Sequence, residues 1–328
     1  MRAVQLTAVN ELKVVEVTDP KPQEGEIVVA LKAAALNHRD VWIKTGQYAG
    51  LKWPCIPGSD GAGIAEQSER PGAAAVPTDV IINPGFDWGT DEHAQGAKFS
   101  ILGLPRDGTL ATLIAVPERQ LTAKPAHLNW EEAAALPLAG LTAYRALFSR
   151  AKLQRGERVL VSGIGGGVAL FALQFAVAAG AEVWVTSSSP DKIARAVKLG
   201  AKGGFDYRDP NWATNATSSP GQFDVVVESA GGEGFGKFVD ATASGGRIVF
   251  YGATRGDPSL PMRKVFWRQI NLLGSTMGSP SDWAAMIRFV DQHKIKPVVS
   301  DVFTIDRAAE AFALMERGEQ FGKIVLTI

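Results

Sequence analysis

Residues 163–167 read Gly-Ile-Gly-Gly-Gly, set between a short β-branched run at 158–162 (RVLVS) and an apolar stretch at 168–179 that stops at Gly180. A strand that turns on glycines into a helix suits one piece of chemistry. The tight turn lets backbone N–H groups approach an anion, and the helix dipole favours negative charge at that end. Gly165, Gly166, Gly167 and Val168 are therefore candidate donors to a pyrophosphate. The spacing is not a literal GxGxxG, because the three fingerprint positions carry Ile164, Gly166 and Ala169. Alanine is an accepted third residue, whereas isoleucine departs from the pattern at the first. A glycine turn can also be merely flexible. Its place after a buried strand and before a long apolar helix is what points to a dinucleotide.

The next strand carries the second clue. At its end an acidic residue would bind a ribose 2′-hydroxyl and repel a 2′-phosphate. Here residues 186–192 read TSSSPDK, so Ser187 takes the acid's place, with Ser188 beside it and Lys192 one turn into the following helix. Hydroxyls and an ammonium suit a dianionic phosphate. These residues favour NADPH over NADH. The competing reading is that Lys192 is an ordinary solvated helix charge, blunted by Asp191.

These groups need a frame. Up to about residue 124 the chain shows short alternating runs separated by Gly, Pro and Asp, at 1–7, 12–17, 26–32, 80–83 and 109–116. That spacing reads as a small β-rich domain. After Pro125 the character changes. Asn129 has the form of an N-cap, with Glu131 and Glu132 in the first turn of an apolar helix. From 157 onward, apolar strands (158–162, 182–186, 223–227, 247–251) alternate with helices (168–179, 190–199), the second opened by Ser189 and Pro190 and closed by Gly200. Such alternation argues for a parallel sheet covered on both faces. Residues 209–222 (DPNWATNATSSPGQ) read as a polar loop, and 298–328 return to strand, helix and strand.

Composition narrows the class. A chain of 328 residues exceeds a typical single domain, and 46% hydrophobic residues can fill a full core. With 34 basic and 34 acidic residues and no like-charge block, nothing recommends a nucleic-acid partner. Cys55 is the sole cysteine, which rules out an intrachain disulfide and fits a reducing compartment. The N-terminal residues lack a signal-peptide core, and charges or prolines interrupt every apolar stretch before membrane-spanning length. A cytoplasmic protein acting on a small molecule is the expectation.

Several motifs occur together and in order: ALNHRDVWIKTGQY at 35–48, IPGSDGAG at 56–63, AAALPLAGLTAY at 133–144, the glycine turn, and FGKIVL at 321–326. In these the whole chain resembles the medium-chain dehydrogenase/reductase superfamily, and within it the zinc-independent, quinone-oxidoreductase-like branch. The resemblance implies an α/β fold with a GroES-like β domain (1–123 with 298–328) around an inserted Rossmann domain (124–297). It further implies that Thr142 contacts the cofactor phosphates or nicotinamide ribose, and that Tyr207 and Lys192 frame the 2′-phosphate. Gly252 and Ala253, with Ser229 and Ala230, would line the nicotinamide side. Residues 271–279 would form a sheet-edge strand that pairs across a two-fold axis to give a homodimer.

Zinc-dependent members of that superfamily place Cys, His with a neighbouring Glu, and Cys where this chain carries Asn37, Ser59 with Asp60, and Leu138. Amide, hydroxyl and isobutyl groups do not replace thiolate and imidazole ligands, so no zinc is expected. Without a Lewis acid, reduction of an electron-poor substrate is favoured over alcohol oxidation. The implied reaction is hydride transfer from NADPH to a quinone or an enone. Asn37 and Tyr48 would lie near the developing oxygen charge, with Asp40 as an orienting or structural group. Turn chemistry for Asn37 and helix capping for Asp40 are the plainer alternatives. Two other functions stay open at this point: a zinc-dependent alcohol dehydrogenase, and a non-enzymatic NADPH-binding sensor or structural protein.

Overall fold

A computed structural model of the chain describes residues 1–66 and 76–328. Apolar and polar residues alternate at the start and form an antiparallel pair, β1 (Arg2–Ala8) and β2 (Glu11–Glu16). The next strand, β3 (Glu26–Ala35), leads into a seven-residue helix, α1 (His38–Lys44). Then come β4 (Asp60–Ala65), β5 (Asp79–Ile82), the short pair β6 (Gly85–Phe86) and β7 (Ser100–Ile101), β8 (Leu113–Pro117) and β9 (Leu121–Ala123). Asn129 caps α2 (Trp130–Ala135) as its sequence suggested. Its Oδ1 accepts from the Glu132 N–H at 2.8 Å, and Glu132 Oε2 accepts from the Asn129 N–H at 3.0 Å. This reciprocal pair satisfies two donors that the helix cannot reach. α3 (Pro137–Tyr144) follows directly.

The alternating half of the chain builds β10 (Arg158–Val161), α4 (Gly167–Ala178), β11 (Glu182–Ser187), α5 (Pro190–Lys198) and β12 (Gly203–Asp206). It continues through α6 (Trp212–Ser218), β13 (Phe223–Glu228), α7 (Phe235–Ala241), β14 (Thr242–Phe250), α8 (Met262–Trp267) and β15 (Asn271–Gly274). Its strands form one parallel sheet in the order β12-β11-β10-β13-β14-β15. The order reverses between β10 and β13, and such a reversal opens a ligand crevice at the carboxyl ends of the strands. Leu160, Val226 and Ile248, from three adjacent strands, are fully buried in its core.

One sequence expectation fails here. Residues 209–222 contain α6 rather than only loop. Trp212, Ala213 and Ala216 share a helix face and bury it beside Phe223 and Phe238, while the polar residues between them face outward. Three apolar residues in a stretch of fourteen gave too weak a period to read.

The last segment adds α9 (Pro280–His293), β16 (Val299–Thr304), α10 (Ala308–Arg317) and β17 (Lys323–Thr327). Strands from both ends of the chain share one sheet, in the order β16-β17-β3-β4-β5-β9, with β8 also paired to β3. The chain divides into two compact units, Met1–Ala139 with Ser279–Ile328, and Gly140–Gly278. The division thus falls inside α3 and just before α9, so the inner unit is narrower than the expected 124–297. The flanking segments are fastened to the outer unit: α2 packs on β3, β4 and β17, and Trp283 Nε1 donates to Thr122 Oγ1 at 2.8 Å. Among the described residues, no helix is long and apolar enough to cross a membrane.

Candidate functional site

In the inner unit, β10 ends at a turn stitched to β11. The Gly163 N–H donates to Thr186 Oγ1 at 3.2 Å and the Ile164 N–H to Thr186 O at 2.8 Å. Ile164, the departure from the glycine fingerprint, is a buried core residue here. Gly166 is the N-cap of α4, with no side chain capping it, and a Cβ added there would meet nothing within 4 Å. The first-turn amides of Gly167 and Val168 therefore sit at an uncapped, uncrowded helix start. Gly165 has φ +131° and lies under Lys192: a Cβ would come within 3.0 Å of Lys192 Cδ and 3.3 Å of its Nζ. Only glycine meets both conditions. The ammonium is thereby brought to the turn itself.

The rim expected to read the ribose is also fixed. Ser189 Oγ accepts from the Lys192 N–H at 3.3 Å as the α5 cap, and Ser187 Oγ accepts from the Ser189 N–H at 3.1 Å. Tyr207, just after β12, donates its hydroxyl to Ser188 Oγ at 3.0 Å. No carboxylate stands at the end of β11, where Ser187 is buried. On the other side of the reversal, Glu228 is fully buried at the end of β13 and accepts from the Ala230 N–H at 2.7 Å and the Gly231 N–H at 3.0 Å. It thus pins the loop that carries Ser229. Tyr251, next to Gly252 and Ala253, shares a hydrogen bond with Ser229, and burial pushes its hydroxyl well above the usual range. Thr142 is buried in α3, with its Oγ1 3.9 Å from Met277 Sδ. Uncapped amides and a glycine with room fit a dinucleotide diphosphate, and the Lys192 ammonium stands over the turn on the side of the serine rim.

In the outer unit a polar cluster is buried where α1 meets the sheet. Asn37 Nδ2 donates to Asp60 Oδ2 at 2.9 Å. The Leu138 N–H donates to the other carboxylate oxygen, Oδ1, at 2.7 Å. The Lys323 ammonium lies among them, donating to Asn37 Oδ1 at 2.7 Å and Asp60 Oδ2 at 2.8 Å. Asp40 accepts from the Asn37 N–H at 2.8 Å and the Gly58 N–H at 3.1 Å, so it closes the α1 cap and ties it to the turn before β4. Burial pushes its carboxyl up, against the pull of Arg39 and those two amides. Arg39 spans the next layer, donating to Ser59 Oγ at 2.7 Å and Leu102 O at 2.6 Å, with its guanidinium 4.9 Å from the Tyr48 ring centre. Its Nε also donates to the Tyr48 hydroxyl at 3.3 Å, and as an acceptor there Tyr48 keeps its own proton to give. Cys55 packs with Leu6, Ile43 and Leu104, and burial pushes its thiol up to about 11.

Asn37, Asp60 and the Leu138 backbone N–H thus come together, while Ser59 turns to Arg39 and Leu102 O, and this chemistry does not fit zinc. The Asp60 carboxylate already accepts from an ammonium, an amide and a backbone N–H. A dication set beside Lys323 would meet a like charge at close range in a dry interior. Ser59 is committed to Arg39 and Leu102 O. Among the described residues, no group of three or more His, Cys, Asp or Glu side chains is placed to hold a metal ion. The sequence reading had missed Lys323, Arg39 and Glu228. For Lys323 a signal existed, since it is the lone charge opening the apolar run KIVL, and only a buried partner explains it there.

Comparison with known proteins completes the description. A family model described as alcohol dehydrogenase GroES-like domain matches residues 23–126, and one described as zinc-binding dehydrogenase matches 167–292. The chain is 35% identical to a zinc-type alcohol dehydrogenase-like protein YogA of Leptosphaeria maculans, over 95% of this chain and 93% of that one. It is 27% identical to the quinone oxidoreductase of Mus musculus, over 95% and 92% of the two chains. A solved structure described as an NAD-dependent alcohol dehydrogenase superposes with a TM-score of 0.93 at 39% identity, over 100% of both chains.

Proposed function

The chain belongs to the medium-chain dehydrogenase/reductase superfamily and is an oxidoreductase of the NAD(P)-dependent kind, and on that premise we propose that it reduces a quinone or an α,β-unsaturated carbonyl with NADPH and without a metal. The observation that carries the reading is the Lys323 ammonium bonded to both Asn37 and Asp60. A fixed cation of the protein's own stands among the groups that would have to serve a metal. Without a Lewis acid, an alkoxide lacks the ion that stabilises it, while an electron-poor acceptor needs only hydride and donors to its oxygen.

When bound, NADPH supplies the hydride. Gly165, Gly166, Gly167 and Val168 hold the diphosphate; Ser187, Ser188, Tyr207 and Lys192 receive the 2′-phosphate; Thr142, Ser229, Gly252 and Ala253 position the nicotinamide half. Asn37, through its remaining N–H, and Tyr48, through its hydroxyl, donate to the substrate oxygen as negative charge develops. Asp40 holds Asn37 from behind through the α1 cap, and Lys323 orients the Asn37 amide by donating to its Oδ1. Solvent protonates the product.

The test is consumption of NADPH against a panel of quinones and enones, beside alcohols offered with NADP⁺. The reading expects turnover with the first two classes and none with alcohols. Alcohol oxidation without quinone or enone reduction would overturn it.

We also propose that β15 pairs with its counterpart in a second copy to make a homodimer. β15 is an edge strand of the parallel sheet, and α8 just before it exposes Met262 at 57%, Phe266 at 67% and Trp267 at 80%. Large apolar side chains this bare beside an open edge mark an interface. Sedimentation of wild type and Trp267→Asp checks it: a dimer weakened by the substitution is expected, and a monomeric wild type would contradict it.

A further inference from the structure

The loop after β14 brings an arginine to the ribose rim. Arg255 Cζ lies 5.5 Å from the centre of the Tyr207 ring, and the Tyr207 hydroxyl is the one bonded to Ser188 Oγ. Guanidinium, ring and serine hydroxyl form a continuous path along the ends of β11, β12 and β14. A guanidinium over a ring face spends no N–H group on that contact and can still address an anion. Among the described residues, no carboxylate forms an ion pair with Arg255.

The backbone that delivers Arg255 is built for that position. The Arg255 N–H donates to Ala230 O at 2.7 Å, and the Gly232 N–H donates to Gly256 O at 2.8 Å, so the loops after β13 and β14 are laced together. Gly231 lies at φ +66°, and a Cβ there would come within 2.5 Å of Gly256 O. A side chain at 231 would push the two loops apart. Glu228 holds the same loop from beneath through the Ala230 and Gly231 N–H groups. Arg255 is exposed, its backbone is held by Ala230 O, and its guanidinium lies over the Tyr207 ring.

We propose that Arg255 is a second cationic reader of the cofactor's 2′-phosphate, besides Lys192, and that it sets the choice of NADPH over NADH. This rests on the NADPH reading above. Lys192 reaches the glycine turn from α5, whereas Arg255 reaches the Ser188–Tyr207 side from another loop. A phosphate on the ribose would then meet two charges delivered by different elements. Arginine suits this role because its planar fork offers two parallel donors to phosphate oxygens, where lysine acts as a point charge.

Direct titration of the full-length protein with NADPH and with NADH separates the outcomes. For Arg255→Ala we expect NADPH affinity to fall roughly tenfold to a hundredfold, with NADH affinity unchanged. Arg255→Lys keeps the charge without the fork and should fall between. If Arg255→Ala keeps the wild-type preference for NADPH, or weakens both cofactors equally, the assignment is overturned while the NADPH reading stands. If wild type binds NADH as tightly as NADPH, the cofactor reading itself fails and the role of Arg255 falls with it.

Discussion

Lys323 Nζ lies 2.8 Å from Asp60 Oδ2, with 4% and 0% of the two side chains exposed. The pair joins the last strand of the chain to one near its beginning, and Asn37 bridges the two charges. A buried ion pair adds little net stability over an apolar pair, but removing one partner strands the other charge. Lys323→Met should therefore cost about 3–5 kcal/mol. Adding Asp60→Asn should recover part of that loss, because the stranded charge is then gone. Urea unfolding of the two single variants and the double variant gives the coupling. Additive losses would show that the pair is not energetically linked.

Lys192→Ala removes the ammonium that lies across Gly165. NADPH binding should weaken by about 1–3 kcal/mol, with NADH binding little changed. Titration of both cofactors checks this. Unchanged NADPH affinity would return Lys192 to the class of solvated helix charges.

Arg247 grips Glu157 through two hydrogen bonds of 2.8 Å each, which helps hold the Glu157 carboxyl below its ordinary value of 4.5 despite the opposing effect of burial. The sign follows from linkage. A carboxyl whose folded pKa is depressed stabilises the protein above its unfolded value and loses that contribution as pH falls through the folded one. Stability should thus decline below about pH 4.5, and Glu157→Gln should be less stable near neutrality with a shallower acid slope. Thermal unfolding across an acid series measures both, and identical slopes would contradict the assignment.

Cys55 is packed among Leu6, Ile43 and Leu104, and its thiol is raised to about 11. The thiolate is the reactive form, so thiol reagents should modify the native protein slowly at mildly alkaline pH and rapidly once it is unfolded. Cys55→Ala should keep its activity. Fast native modification, or loss of turnover without loss of fold, would give Cys55 a role that its surroundings do not suggest.

What could be read from the sequence was local in origin. The Ser189 cap, the Asn129 box, the glycine turn and the strand–helix alternation each depend on residues within a few positions of one another. The arrangement of the polar cluster was not legible in that way. Lys323 and Asp60 are 263 residues apart, and no periodicity announces that β17 lies beside β3. Arg255 and Tyr207 meet only because two loops are laced through Ala230 and Gly256. The helix α6 was missed for a different reason: its buried face is three residues wide in a polar stretch. Asn37 and Asp40 were picked out by sequence, yet much of their hydrogen-bonding capacity is spent on Lys323, Asp60 and the α1 cap.

The claim on which the account turns is that a lysine holds the place where a metal would act. Metal analysis of the purified, turning-over enzyme, before and after exhaustive chelation, tests it most directly. The account predicts far less than one zinc per chain and an undiminished rate of NADPH oxidation after chelation. Stoichiometric zinc whose removal abolishes turnover, and whose return restores it, would contradict it.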